Sequence, residues 1–141
     1  MKTKRILVAM VSALLVLFAI TGCNESSEPG TSQIDWENHD QRAEQFIMAL
    51  INGDYSIAAA GFDTDMNRGI GVYGLRRNWE EVTRQAGSFV SIVGIEIIPH
   101  DDFSIYEVTT QHESNGINSR VVFSEDGVVA GLHFTFADNN D

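Results

Sequence analysis

The sequence predicts an α+β fold, with N-terminal helices packed on a curved, four-stranded antiparallel sheet. Three observations predict it. Between Asp35 and Ala86 the apolar residues recur every three to four positions. After Gly87 the period changes to two. The second half is broken by short polar turns, among them Asn115-Gly116 and Asp126-Gly127, whose residues take positive φ cheaply. Helices first and a meander afterwards give a two-layer domain over residues 35–137, with one core.

The first helix is expected from Asp35 to Asn52. Trp36, Ala43, Phe46, Ile47, Leu50 and Ile51 form one stripe, and Asn52-Gly53 supplies the stop. Asp54 is placed to cap a second short helix through Gly61, with Tyr55, Ala58, Ala59 and Phe62 facing inward. Asp63 to Gly71 reads as a short irregular helix or turn holding Met66 and Ile70. Gly74 to Ala86 reads as a further helix burying Leu75, Trp79 and Val82, ended by Gly87.

Four strands are expected at Ser88–Pro99, Phe103–His112, Ile117–Ser124 and Val128–Phe136. In the simplest hairpin registers, facing residue numbers sum to about 201, 229 and 251. One face then carries Phe89, Val93, Ile95, Ile97, Tyr106, Val108, Val121, Phe123, Val128, Ala130, Leu132, Phe134 and Phe136, and the helices should cover it. The other carries Val90, Ile92, Ile98, Phe103, Ile105, Val122 and Val129 among Glu96, Glu107, Thr109, Gln111, Asn118, Arg120 and His133. An exposed face with so many large apolar groups often meets a partner, whereas strand propensity alone also places such residues on a solvated sheet. Ile92, Ile105, Val122 and His133 are therefore the candidate interface residues of a homodimer.

The first 23 residues have a separate logic. Lys2, Lys4 and Arg5 precede an apolar run from Ile6 to Ile20, interrupted only by Ser12. A membrane-spanning helix needs about 20 apolar residues, so this run is short for a permanent span and suits a signal peptide. Ile20-Thr21-Gly22-Cys23 resembles the lipobox of bacterial lipoproteins. That resemblance implies cleavage after residue 22, acylation of the Cys23 thiol and anchoring to the outer face of the cell membrane. Residues 23–34, rich in Ser, Glu, Gly and Pro, read as a flexible tether, and residues 138–141 as a disordered tail.

Cys23 is the single cysteine, so the remaining chain has no disulfide, no thiolate nucleophile and no cysteine-based metal site. Loss of residues 1–22 removes the positive charges of Lys2, Lys4 and Arg5, taking the net charge from −11 to −14. The remaining basic residues are Arg42, Arg68, Arg76, Arg77, Arg84 and Arg120. Such a balance argues against nucleic acid, whose phosphates need clustered cations. It also disfavours lying flat on anionic lipid.

Phe46-Ile47-Met48-Ala49-Leu50-Ile51-Asn52-Gly53-Asp54-Tyr55, then Trp79 and Gly87-Ser88-Phe89, then Val121-Val122-Phe123, Glu125-Asp126-Gly127 and Gly131-Leu132, resemble in order a bacterial domain-of-unknown-function family, number 3887. The resemblance runs from about Gln41 to Phe136. That family is similar to the nuclear-transport-factor-2-like superfamily, whose cystatin-like cone wraps a curved sheet around a helix. The resemblance implies a pocket between sheet and helices, and it transfers no catalytic residue. The family also occurs beside α/β-hydrolase domains, but this sequence contains no G-x-S-x-G elbow.

Tyr55, Tyr73, Trp79 and Tyr106 are the polar-tipped aromatics expected to line such a pocket. His133, expected near Asn118 and Gln111, is a candidate general base, although a surface histidine is the plainer reading. His39, His100 and His112 fall in a helix start, a turn and a strand end. His100 with Asp101 and Asp102 makes an opportunistic metal site or simply a turn. Asp63, Asp65 and Asn67 resemble half a calcium loop, but Arg68 stands where its glycine belongs and Gly74 where its glutamate belongs. Arg76 and Arg77 are candidate anion ligands with Glu80 and Glu81 available as partners. No metal, cofactor or catalytic set is expected. The sequence favours a lipid-anchored, non-catalytic domain that binds a small molecule or protein. The rival readings are an isomerase- or dehydratase-like enzyme and a structural homodimer.

Overall fold

A computed structural model describes residues 41–137. The signal segment, Cys23, the tether, Trp36, His39 and residues 138–141 lie outside the described residues, as does the expected first turn and a half of the first helix. The elements are α1 (Arg42–Asn52), α2 (Tyr55–Ala59), α3 (Thr64–Gly69), α4 (Gly71–Ala86), β1 (Phe89–Ile98), β2 (Phe103–His112), β3 (Gly116–Ser124) and β4 (Val129–Phe136). The sheet is an antiparallel meander in the order β1-β2-β3-β4. The expected α+β architecture is therefore the observed one.

Gly53, at φ 81°, ends α1. Its N–H donates to Leu50 O (3.1 Å) and the Asp54 N–H donates to Ala49 O (2.8 Å). These are the paired bonds of a Schellman cap, which satisfies two carbonyls the helix leaves open. Asp54 does not cap α2 with its side chain. Its backbone carbonyl instead accepts from Ile57 and Ala58. The helix α4 begins three residues before the expected Gly74, because Ile70 continues the chain directly from α3 into the next turn.

The core joins Ala43, Phe46, Ile47 and Leu50 of α1, Leu75 and Trp79 of α4, and Val108, Ile117, Val121, Phe123 and Val129 of the sheet, all buried. Cross-strand rows face the helices in register: Ile97–Tyr106–Val121–Leu132, Ile95–Val108–Ser119–Phe134 and Ile92–Thr110–Ile117–Phe136. The opposite face carries Ile98–Ile105–Val122–Gly131 and Glu96–Glu107–Arg120–His133.

The registers differ from those expected. Between β2 and β3 they are uniform at a sum two lower, as in Tyr106↔Val121, because the turn closes at His112 N–H to Asn115 O (3.1 Å). Gly116 is then the first strand residue, where a Cβ would come within 2.8 Å of Ala137 Cβ. A two-residue shift keeps every side chain on its face. Between β3 and β4 two extra residues enter, Gly127 in the left-handed region (φ 77°) and Ala130 in a bulge. Val129 is consequently fully buried, and the expected positions of Val128 and Val129 are exchanged. In β1, two register shifts move Ile92 onto the helix-facing side, opposite Thr110, and leave Val93 without a partner on β2. Ile92 is thus not on the outer face assigned to it.

The helices lie over β2, β3 and β4. Ile95 and Ile97 of β1, though on the helix-facing side, stay 39 % and 58 % exposed. The outer edge of β4 is better protected. Phe62 bridges Val129, whose N–H donates to Gly61 O (2.7 Å) and whose carbonyl accepts from Asp63 N–H (3.0 Å).

Ser119 is fully buried in the middle row, and its hydroxyl has no hydrogen-bond partner. A buried hydroxyl without a partner retains its desolvation cost. Ser119→Ala is therefore expected to raise stability by about 1 kcal/mol, read as a higher denaturant midpoint with an unchanged slope. A midpoint that falls would show the hydroxyl to be satisfied.

Candidate functional site

A concavity of about 580 Å³ opens where α1 ends, where α4 gives way to β1 and where β2 turns into β3. Leu50, Ile51 and Phe89 give it an apolar floor, and Asn52, Thr83, Ser88, Glu80, Arg84 and Glu113 a polar rim. Tyr55 and Trp79 line it. Tyr73 does not, standing 79 % exposed on α4, because Leu75 and Trp79 define the inward stripe of that helix and Tyr73 falls off it. Tyr106 does not either: it is buried edge-on against Phe123, their ring centroids 5.7 Å apart.

The charged groups of this groove are already engaged. Glu80 Oε1 accepts from Arg76 Nε (2.7 Å), and Arg84 pairs with Glu81. Glu113 Oε2 accepts the Ser88 N–H (3.0 Å), which holds its carboxyl below the ordinary carboxylate value. Tyr55 is pushed above the ordinary phenol value by burial and then by the nearby Glu80 charge, with Arg76 pulling the other way. Thr83 Oγ1 donates to Trp79 O (2.8 Å).

Beneath the groove lies His112, which the sequence placed only at a strand end. It is fully buried. Its Nδ1 is 3.0 Å from Gly87 O and its Nε2 is 3.1 Å from Thr110 Oγ1. The carbonyl requires a proton on Nδ1, while the Thr110 hydroxyl stands between Nε2 and Ile117 O (3.3 Å) with one proton for the two. Trp79 and Phe89 meet the imidazole edge-on, with centroids 6.2 and 5.8 Å away. Ser114 N–H donates to Ala86 O (2.8 Å) and Glu113 N–H to Ser88 O (3.0 Å). The α4–β1 junction is thus tied to the β2–β3 turn by backbone, imidazole and carboxylate together.

The depressed Glu113 pKa has a definite consequence for acid stability. A folded-state value below the unfolded one contributes stability at pH above the unfolded carboxylate range, and that contribution is lost as pH falls through the folded value. Wild type is therefore expected to melt higher than Glu113→Gln at pH 7. The gap should close as pH drops below about 4. Melting curves from pH 7 to pH 3 check this, and a gap that widens in acid would contradict it.

A second groove of about 340 Å³ lies between α3, α4 and β4, with Met66, Ile70, Val82, Leu132 and Phe134 as its walls. His133 is on its rim, exposed, and pairs across the sheet with Arg120 rather than Asn118. No amide is therefore beside it in the way the expected register required. Ile105 and Val122 face each other, half-buried, on the outer sheet face. The calcium-like residues are spent on helix structure. Asp63 Oδ1 caps α3 by accepting Met66 N–H (2.7 Å), Asp65 pairs with Arg68, and Asn67 donates to Phe62 O. The Asp102 N–H donates to His100 Nδ1 (3.2 Å), which makes that segment a turn. Among the described residues no group of three or more His, Cys, Asp or Glu side chains is placed to hold a metal ion. Among them, too, no helix is long and apolar enough to cross a membrane.

Residues 43–132 match the model of a family described as a protein of unknown function, DUF3887. Among curated proteins, the Esterase EstD of Thermotoga maritima is 27 % identical over 95 residues, covering 67 % of this chain. The chain spans about a quarter (23 %) of the length of that relative. No solved structure matches it.

Proposed function

The chain belongs to the DUF3887 family of proteins of unknown function, and we propose that it is a non-catalytic binding domain held at the outer face of the cell membrane by an acylated Cys23. The observation that carries the binding reading is the state of the groove between α1, α4 and β1. It offers apolar floor, aromatic wall and polar rim, the mixture small-ligand sites use. Its two carboxylates are committed to Arg76 and to the Ser88 N–H, and the imidazole beneath it is committed to Gly87 and Thr110. A general acid or base must be within reach of the proton it moves, and these groups are turned to holding the fold. The partial match to an esterase supports a module shared with a larger protein, but this sequence has no G-x-S-x-G elbow to carry that activity. The anchoring reading rests on the basic start, short apolar run and Ile20-Thr21-Gly22-Cys23.

Two measurements test the proposal. Thermal-shift screening of the purified chain against metabolites and peptides should find a ligand that stabilises it, by about 2.7 kcal/mol at a hundredfold excess over Kd. Ser88→Trp, which fills the groove mouth, should abolish that shift. Turnover of an ester or a carbonyl compound by the chain, lost on a single groove substitution, would overturn it. For the anchor, Cys23→Ser is expected to move the protein from the membrane to the soluble fraction and to abolish labelling by a fatty-acid probe. Retention of either property would refute acylation at Cys23.

A further inference from the structure

Glu113 differs from Glu80, the other acid lining the groove, in how it is held. Its own N–H donates to Ser88 O (3.0 Å) and its Oε2 accepts from Ser88 N–H (3.0 Å), so one residue fixes both its backbone and its head. Gly87 makes the space for it: a Cβ there would stand 3.0 Å from Glu113 Cβ and 3.2 Å from Oε2. A carboxylate held in this way keeps its place before any ligand arrives, which removes an ordering cost from binding. Yet Glu113 has no cation. The ion pairs formed among the described residues take Asp65, Glu80, Glu81 and Glu107. A carboxylate offers about four acceptor positions on its two oxygens. Ser88 occupies one, on Oε2, and leaves Oε1 open at the rim.

The charge lining the groove is out of balance in one direction, with Glu80 and Glu113 against Arg84 alone. Arg84 is joined to Glu81, and Arg76, beside the groove, to Glu80. An incoming anion would have to displace a carboxylate from an arginine and would still face Glu113. An incoming cation has nothing to displace. Resting on the reading of this groove as a binding site, we infer that its ligand is a small organic ammonium. The charged head of such a primary amine donates to Glu113 Oε1, and its apolar body lies on Leu50, Ile51 and Phe89. The charge-assisted bond orients the head, and removal of apolar surface from water holds the body. The volume of about 580 Å³ is in the range that small-molecule sites occupy.

The test uses the full-length chain in non-ionic detergent and probes that share one body and differ in the head: benzylammonium, benzyl alcohol and benzoate. Binding is read at low salt from the backbone amide shifts of Ser88, Phe89 and Glu113, which report on the groove and not on uptake by micelles. Benzylammonium should bind at least about fivefold more tightly than benzyl alcohol, and benzoate more weakly than either. Salt at about 0.5 M should weaken the ammonium and leave the alcohol unchanged. Glu113→Gln keeps an acceptor for the Ser88 N–H and removes the charge. It should bring benzylammonium down to the affinity of the alcohol, with the amide spectrum elsewhere unchanged. The comparison of heads and the salt dependence are made on wild type and stand whatever the stability of the variant. Alcohol or benzoate bound as tightly as the ammonium overturns the inference, and leaves the groove a site for another class of ligand. Ammonium affinity unaltered in a folded Glu113→Gln chain overturns it as well. So does the absence of shifts with all the probes, whereas the binding reading itself falls only if the wider ligand screen finds nothing that Ser88→Trp abolishes.

Discussion

Trp79→Ala is expected to lower the stability of the domain by about 3–5 kcal/mol. The indole is buried on α4, within 5.2 Å of the Phe134 ring and 6.2 Å of the His112 imidazole, centroid to centroid. It is thus the point where the helix layer meets both β4 and the end of β2. Its removal leaves a cavity that backbone on both sides prevents from collapsing, and it strips one wall from the groove. For a domain of ordinary stability that loss is a large share of the total. Chemical denaturation should show a midpoint far below wild type, with far-ultraviolet dichroism still native in the absence of denaturant. A change below about 1 kcal/mol would mean that Trp79 is not a keystone of the core.

Arg42→Ala should cost nearly as much, about 2–4 kcal/mol. The guanidinium is buried at the start of α1, and burial lowers its pKa from the ordinary arginine value. Its Nη1 donates to Gly127 O (2.9 Å), and its carbon centre lies 5.0 Å from the centroid of the Phe123 ring. Truncation leaves the Gly127 carbonyl buried without that donor and takes the cation from the ring face. Arg42→Met keeps the aliphatic stem, so it should recover the packing part of the loss but not the hydrogen-bonded part. Equal effects of the two substitutions would contradict this division. Gly127 is tied to the same contact: a Cβ there would collide with Arg42 Nη1, and its φ of 77° disfavours any side chain.

Much of this architecture was legible in the chain. The limits of the strands came from Gly87, Pro99, Asn115-Gly116 and Asp126-Gly127, because those residues change what the backbone can adopt locally. The inward stripes of α1 and α4 came from helical spacing. Registers were less legible, since one extra residue in a turn, Gly127, or in a bulge, Ala130, is invisible to an alternation that survives an even shift. Val129 changes face for that reason, and Ile92 changes face through the two register shifts within β1. Arg42 and His112 were missed for a different reason. Each is buried by partners distant in sequence, Gly127 and Phe123 for the arginine, Gly87 and Trp79 for the histidine. Polar residues become core residues only once such partners exist, and nothing adjacent to them signals it. Of the four aromatics expected around a pocket, Tyr55 and Trp79 lie on the helical stripes that frame the groove. Tyr73 and Tyr106 show that a polar-tipped ring alone does not mark a cavity.

The meander order has a consequence for how the chain reaches this state. Every strand pairs with its sequence neighbour, so the sheet can zip from local hairpins at little cost in loop closure. The helices pack on one another, α1 on α2 and α3 on α4, but their ties to the sheet are distant in sequence. The bond from Arg42 to Gly127 spans 85 residues, and the bridge from Phe62 to Val129 joins the connection between α2 and α3 to the last strand. Both wait for the final hairpin to be made. The helical half therefore completes its docking only when the last strand is in place, and shortening the chain from its C-terminal end is expected to loosen the first helix as well as remove the last strand.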